Sequence, residues 1–368
     1  MPRNSHLLTR LAGGPAAAGR MRGRRRVVAY VVGVIVVGLG IHVAYPAIAG
    51  LGRSLELLRH ANVGWIVAAV GFSALSLGCY VAVFRYVVGA HDARIGWRGA
   101  YQIAMASQAA STVVTAGGAG GIALLLWALA RAGLDRSQAA SRVVAFLAFH
   151  YVIYLGALGV FGSALWLGIL PGGGPASLTI LPAVIAAAAI VLAILVARSP
   201  ERVEGRLSDR SARGGRLARL AQRLLNVPTI VAAGLRYARS VLRPRSRGVV
   251  IGALALGYWA TNISILVACF LAFSERPEIA GLVQAFFVGM TVNLLPLLPG
   301  GVGSVEAGLI AALLAFGEPG AEVVVSVLAY RLIGFWLPTI PEAVAFVQLW
   351  RTVARWPRAA DEPPRGVA

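Results

Sequence analysis

The residues best suited to chemistry are a carboxylate and a guanidinium in otherwise apolar stretches near the C-terminus, Glu306 and Arg331. An ionisable side chain inside a membrane span costs at least ~2.5 kcal/mol and marks a functional site by default. Arginine binds phosphate through bidentate, charge-assisted hydrogen bonds. The two residues therefore predict a site for a phosphate-bearing group, with Glu306 neutralising Arg331 when the site is empty. The alternative is a structural pair that fastens two helices together.

A helix break directly precedes Glu306. The sequence runs Asn-Leu-Leu-Pro-Leu-Leu-Pro-Gly-Gly-Val-Gly-Ser-Val-Glu over residues 293–306. Broken backbone at membrane depth is tolerated only where protein or a water-filled cavity satisfies the freed polar groups. A helix that restarts near Ser304, its expected N-cap, presents free amides and a positive dipole end that suit a phosphate. We expect Pro296 and Pro299 to form the break, and the substrate-binding residues to be Asn293, Gly300, Gly301, Gly303, Ser304, Glu306 and Arg331.

A second glycine-rich break interrupts the apolar segment 100–134. The expected break residues are Gly117, Gly118, Gly120 and Gly121, and the pattern Gly-Gly-x-Gly recurs at 300–303. Gln102 and Gln284 precede the two breaks at similar distances. Paired broken segments are typical of inverted-repeat transporters, whose substrate site lies near the bilayer midplane. The alternative is chance recurrence in a chain with 44 glycines.

The elements that must position these residues are membrane helices. Hydrophobic residues make up 58% of the 368 residues, charged residues only 13%, and the mean hydropathy is +0.76. Crossing a bilayer takes ~20 apolar residues, and runs of about this length predict six full spans at 27–49, 65–88, 143–168, 178–197, 249–273 and 323–349. The segments 100–134 and 281–317 are expected to form re-entrant hairpins. The prediction is an all-α integral membrane protein with its membrane domain at 27–350.

Arginine placement predicts the orientation. The chain has 34 basic and 14 acidic residues, and every basic residue is an arginine. Because arginines collect on the cytoplasmic side, we expect the tails 1–26 and 351–368 and the loop 198–247 to face the cytoplasm, with the protein in the cell membrane. An amphipathic helix at 206–225 is expected to contact anionic lipid headgroups, the alternative being a solvated linker helix. Nucleic acid is not an expected partner, since apolar spans dominate the chain.

Other reactive residues form no recognisable pattern. Cys79 and Cys269 lie in apolar runs without metal-ligand spacing. The sequence contains no nucleotide-binding loop, zinc motif or Ser-His-Asp arrangement in a defensible context. We therefore expect no cofactor, no metal and no enzymatic activity. Glu342, in the last span, is interpreted as a weaker candidate near the cytoplasmic interface, and His150 as a packed, hydrogen-bonded core residue.

The segment 293–306, followed by Tyr-Arg-Leu at 330–332 and Phe-Trp-Leu-Pro at 335–338, resembles the lysylphosphatidylglycerol synthase transmembrane (flippase) domain family. The resemblance implies movement of a phospholipid, an aminoacylated lipid or a polyprenyl-linked lipid between leaflets, without a cofactor. It also implies a stand-alone member, because only a short tail follows the last span. The first hairpin departs from the family, since residues 117–123 lack the proline and the charged residue that often follow that break. The alternative function is a non-transporting partner that scaffolds a lipid-modifying enzyme or glycosyltransferase of the cell envelope.

Overall fold

A computed structural model describes residues 61–89, 95–113, 118–201, 203, 227–243, 245–294, 301–318 and 320–354. Every regular element in these ranges is a helix, which confirms the predicted all-α class. The described residues all belong to one structural unit, which begins at Gly52. The expected first span at 27–49, the amphipathic helix at 206–225, the tail 1–26 and the chain beyond residue 354 lie outside the described residues.

The described helices are numbered in chain order. They are α1 (Val63–Val87), α2 (Trp97–Val113), α3 (Ala119–Arg131), α4 (Arg136–Trp166), α5 (Ile180–Arg198), α6 (Val227–Leu242), α7 (Arg245–Ala272), α8 (Ile279–Thr291), α9 (Ser304–Ala315), α10 (Gly320–Arg331) and α11 (Leu337–Val353). A 3₁₀ turn at Val292–Leu294 follows α8, and a π-helical segment at Leu332–Trp336 joins α10 to α11.

Five of the six predicted spans correspond to helices in the described ranges. These are α1, α4, α5, α7 and the continuous helix Gly320–Val353, each long and apolar enough to cross a membrane. The sequence placed the start of the third span at 143, whereas α4 begins at Arg136 and has 31 residues. At 1.5 Å per residue such a helix is about 46 Å long. Its ends therefore extend beyond a hydrocarbon core of ~30 Å.

The two predicted hairpins are present as pairs of short helices. α2 and α3 have 17 and 13 residues, and α8 and α9 have 13 and 12. Helices of this length rise only about 18–26 Å, so none of them crosses a bilayer comfortably alone. The two helices of each pair pack against one another. This arrangement brings each break to the place where its pair of helices meets.

Glycines allow the helices of each pair to approach closely. A Cβ atom on Gly121 of α3 would lie 2.6 Å from the Ser107 carbonyl oxygen of α2. In the second hairpin a Cβ atom on Gly289 of α8 would lie 2.8 Å from the Leu309 Cα atom of α9. Both distances are shorter than real Cβ contacts, and both neighbours are backbone atoms that cannot swing aside. The glycines thus set the width of the hairpins.

The final helix changes its winding near its centre. α10 ends at Arg331, the π-helical segment follows, and α11 continues the same helix to Val353. Pro338 occupies the start of α11 and Pro341 lies within it, so two backbone N–H donors are missing just after the π-helical segment. Single π-helical turns inside α-helices occur frequently at functional sites. The irregular part of this helix therefore begins at the arginine singled out from the sequence.

The basic helix α6 contacts the end of α1 and the first part of α4. α6 lies within the predicted loop 198–247, and its Tyr237 hydroxyl donates to the Val87 carbonyl oxygen at 2.9 Å. Arg142 of α4 donates from Nη1 to the neighbouring Val88 carbonyl oxygen at 2.8 Å, and its guanidinium lies 5.7 Å from the centre of the Tyr237 ring. Part of the predicted loop is therefore a docked helix.

The apolar core has two clusters, one beside each hairpin. The first joins α1, α2, α3 and α11 through residues such as Phe84, Ile103 and Leu129. The second joins α7, α8, α9 and α10 around Phe270 and Phe286. Helices α1, α4 and α7 contribute to both clusters. Each hairpin therefore has its own packed support.

Candidate functional site

Glu306 and Arg331 form a buried ion pair, as the sequence predicted. The Arg331 Nε atom donates to Glu306 Oε1 at 2.8 Å. Glu306 is 6% exposed and Arg331 is 3% exposed. The carboxylate comes from the first turn of α9 and the guanidinium from the last residue of α10, two helices that pack together. Removing one partner of such a pair costs about 3–5 kcal/mol, because the other charge is left buried.

The start of α9 differs in one detail from the prediction. Its N-cap is Gly303, with a φ of 82° that favours glycine, so the assignment of Ser304 as N-cap is wrong. The Ser304 hydroxyl instead donates to the Gly301 carbonyl oxygen at 3.1 Å. The Gly303 N–H donates to Glu306 Oε2 at 2.7 Å. This amide is therefore occupied by Glu306 and is not open to a phosphate while that carboxylate stays in place.

An aromatic ring supports the other side of the guanidinium. The Arg331 Cζ atom lies 4.0 Å from the centre of the Phe335 ring, a distance that allows a cation–π interaction. Phe335 lies within the π-helical segment. The position of the charge is thus tied both to Glu306 and to the irregular part of the final helix.

Arg331 borders a cavity of about 310 Å³ that both helix breaks reach. Gly118 and Gly121 line it from the first break, and Asn293 and Gly301 line it from the second. Further lining residues come from α1, α4, α7 and α11. Ligand pockets have volumes of about 300–1,000 Å³, so this cavity is large enough for a small headgroup. Two sequence segments that lie far apart in the chain therefore meet at one site.

The first hairpin gives the cavity a neutral polar wall. Its described lining residues include Ser107, Gln108, Ser111 and Thr112, and none of them is charged. The Ser107 hydroxyl donates to the Ala104 carbonyl oxygen at 2.7 Å, and the Ser111 and Thr112 hydroxyls also donate to backbone carbonyls. Because these protons are used inside the hairpin, the oxygen lone pairs remain available to a ligand. The Gln108 carboxamide adds N–H donors to these acceptors, while its Oε1 atom accepts from the Tyr80 hydroxyl at 3.1 Å.

Glu342 is a cavity residue that the sequence interpretation undervalued. The sequence placed it near the cytoplasmic interface, but it is 7% exposed and lines the same cavity as Arg331. The residues Arg331, Phe335, Pro338 and Glu342 all line the cavity, and their spacing of three or four residues puts them on one helical face. That spacing is visible in the sequence and would have identified Glu342 as a member of the site.

The remaining predicted residues are placed as follows. Asn293 lies over Gly301, where a Cβ atom would be 2.7 Å from the Asn293 Oδ1 atom. Gly120 lies in the first turn of α3. Gly117, Pro296, Pro299 and Gly300 lie outside the described residues. Within the described ranges, no group of three histidine, cysteine or acidic residues could hold a metal ion.

His150 is packed as expected. Its Nδ1 atom lies 3.1 Å from the Phe146 carbonyl oxygen, and its ring makes edge contacts with Tyr80 and Tyr258 at centroid distances of 5.2 and 5.1 Å. The same ring also borders the cavity. The histidine and the two tyrosines therefore form an aromatic part of the cavity wall.

These features define a multi-pass α-helical membrane protein in which two broken hairpins meet at a polar cavity. The chain matches the family described as "Lysylphosphatidylglycerol synthase TM region" over residues 30–341. It belongs to this family, which confirms the resemblance noted in the sequence.

Similar curated proteins carry the name "UPF0104 membrane protein" and come from Methanothermobacter thermautotrophicus. One is 23% identical over 321 residues, an alignment that covers 83% of this chain and 91% of the relative. A second is 34% identical over 103 residues, and a third is 32% identical over 108 residues. These two alignments cover only 29% and 32% of the respective relatives. The similarity to the first protein extends over most of the membrane domain.

Proposed function

We propose that this protein moves a lipid with an anionic phosphate headgroup from one leaflet of the membrane to the other. The observation that carries the proposal is the buried Glu306–Arg331 pair, whose guanidinium borders a cavity that both helix breaks reach. A phosphate cannot cross the hydrocarbon core bare, because an uncompensated charge there is strongly disfavoured. A cavity that presents a guanidinium and many polar groups lowers that barrier.

Arg331 is the residue that receives the phosphate in this proposal. In the described state its Nε atom donates to Glu306. An entering phosphate would replace the carboxylate, since guanidinium forms bidentate bonds to phosphate. Glu306 would keep its 2.7 Å bond from the Gly303 N–H, so the released carboxylate would not lose every donor. The ion pair is thus the resting state of the site, and partner exchange is the binding step.

The proposed cargo is a phospholipid, an aminoacylated lipid or a polyprenyl-linked lipid. Such movement requires no bond to form or break in the lipid and no cofactor, so we assign the protein no enzymatic activity. We place it in the cell membrane with both termini in the cytoplasm, because arginines collect in those segments and in the loop 198–247. Anionic headgroups would contact that loop, and a separate enzyme would supply or use the lipid.

The test is lipid movement in liposomes that contain only this protein. A fluorescent phosphatidylglycerol is placed in both leaflets, and the fraction that albumin can extract from the outside is followed over time. The parent protein should make almost all of the probe extractable. Arg331→Gln should leave about half, as in empty liposomes, whereas Arg351→Gln, at an exposed arginine in the last turn of the same helix, should behave like the parent.

If the parent protein leaves half of the probe inaccessible, the transport proposal fails. Co-purification of a glycosyltransferase or lipid synthase with such an inactive protein would favour the scaffold function instead.

A further inference from the structure

Glu342 is a buried acid to which the described residues supply no cation partner. Its side chain is 7% exposed and faces the cavity. Within the part of the chain that the structure describes, no side chain or backbone group forms a hydrogen bond or ion pair with it. Glu306, by contrast, accepts hydrogen bonds from both Arg331 and Gly303. The helix packing therefore does not explain why an acid occupies this position.

Glu342 lies on the path that a headgroup at Arg331 would take through the cavity. Arg331 and Glu342 lie at equal distances from the two ends of the helix Gly320–Val353, Arg331 towards the start and Glu342 towards the end. The two are separated by about 16 Å along the axis at 1.5 Å per residue, and both line the cavity. The π-helical segment and Pro338 lie between them. They are thus the two ionisable groups at opposite ends of one helical face.

Among the described residues that line the cavity, no cation lies near Glu342. The described titratable or charged side chains of the lining are Tyr80 of α1, His150, Tyr151 and Tyr154 of α4, Tyr258 of α7, Tyr330 and Arg331 of α10, and Glu342 itself. Arg331 is held by Glu306. The helix α2, which packs along α11, contributes only neutral groups to the lining, and its Arg98 and Tyr101 lie outside it.

We propose that Glu342 is a proton-binding gate, which lets an anionic headgroup pass only when its carboxyl group is protonated. The proposal rests on the proposed function. An ionised carboxylate in a low-dielectric cavity repels the same phosphate that Arg331 attracts, and protonation removes that repulsion without moving the backbone. Buried carboxylates in transport proteins recur as proton-relay groups. The proton comes from water in the cavity and returns to water after the headgroup has left.

The gate predicts a pH dependence of defined sign. In liposomes with equal pH on both sides, the full-length parent should move fluorescent phosphatidylglycerol faster as the pH falls. Above the midpoint the rate should drop by up to about tenfold per pH unit, the limit for one titrating group. Glu342→Gln, which cannot ionise, should move the probe at the acid-limit rate at every pH. Glu201→Gln, at an exposed acid outside the cavity, should keep the parent's profile.

A second measurement observes the carboxyl group itself. Infrared spectra of the parent protein should show a protonated carboxyl band that titrates with the same midpoint as lipid movement. The band should be unaffected by Glu201→Gln and absent from Glu342→Gln or, if that variant does not fold, from Glu342→Met. A band whose midpoint differs from that of lipid movement would overturn the gate.

The other outcomes separate the gate from transport itself. A parent protein that moves lipid at a rate independent of pH would overturn the gate and leave the transport proposal intact. If Glu342→Gln loses movement at every pH, the carboxylate itself is needed, as for a headgroup ammonium, and the gate is wrong. If Glu342→Gln keeps the parent's pH profile, another group titrates and the gate is also wrong. A parent that moves no lipid at any pH refutes both proposals.

Discussion

Neutralising Glu306 and Arg331 separately and together distinguishes a transport site from a helix clamp. Glu306 and Arg331 are 6% and 3% exposed, and the 2.8 Å bond joins their charged groups directly. Arg331→Gln leaves the Glu306 carboxylate buried with only the Gly303 N–H as a donor among the contacts described above. We expect this variant to lose about 3–5 kcal/mol of unfolding free energy, the usual cost of breaking a buried pair. Glu306→Gln should be destabilised in the same direction.

The double variant Glu306→Gln/Arg331→Gln leaves no unpaired charge. Its loss should be smaller than the sum of the two single losses by up to about 3 kcal/mol, the range of coupling energies between contacting residues. Thermal or denaturant unfolding in detergent measures the stabilities, with Arg351→Gln as the control for loss of an exposed arginine. Lipid movement should nevertheless be absent from both single variants and from the double variant, since none of them keeps both members of the exchange.

The result that would refute this reasoning is a double variant that regains stability and also moves lipid as well as the parent. The pair would then act only as a clamp between α9 and α10. The charge-swapped variant Glu306→Arg/Arg331→Glu tests the same point, because it restores the pair but moves the cation away from its original place. We expect it not to restore lipid movement.

Three further predictions concern the surrounding structure. Gly289→Ala should lower the unfolding free energy by about 1–3 kcal/mol, because the added Cβ atom would lie 2.8 Å from the Leu309 Cα atom. The control Gly156→Ala, with open space around it, should be close to neutral in the same unfolding assay. Burial raises the pKa of Glu318, opposed by its 3.0 Å bond from the Glu278 N–H and reinforced by the nearby Glu275 and Glu278 charges. The contribution of Glu318 to the free energy of unfolding is therefore full below its unfolded-state pKa and is lost as the pH rises through its folded-state pKa. Glu318→Gln should flatten the pH dependence of the melting temperature in this acidic-to-neutral window. A cysteine introduced at Arg213 should react with a membrane-impermeant reagent only after cells are opened, because the loop 198–247 is expected to be cytoplasmic; labelling of intact cells would contradict the orientation.

Much of the site could be predicted from the sequence because its signals are local. Prolines and glycines that interrupt apolar runs identify both hairpins, and a charge inside a span is rare enough to identify Glu306 and Arg331. Their pairing followed because each needs an opposite charge at depth. These inferences depend on residue type and on spacing within one segment.

The parts that escaped prediction depend on packing between distant segments. Ser304 has the usual N-cap side chain, but the positive φ at Gly303 and the reach of Glu306 decide the helix start instead. The meeting of Gly118 and Gly301 at one cavity depends on how the hairpins pack. The sequence interpretation placed Glu342 near the cytoplasmic interface, whereas the packing of α11 against α2 leaves it buried.

The central claim is that Arg331 exchanges Glu306 for a lipid phosphate. Nitrogen NMR of the arginine Nε–H groups in the full-length protein, with the Arg331 signal identified by its loss in Arg331→Gln, observes this exchange directly. Adding phosphatidylglycerol should shift the Arg331 signal in a saturable way, while uncharged diacylglycerol should leave it unchanged. An Arg331 signal that stays in place while the same protein moves phosphatidylglycerol would contradict the account.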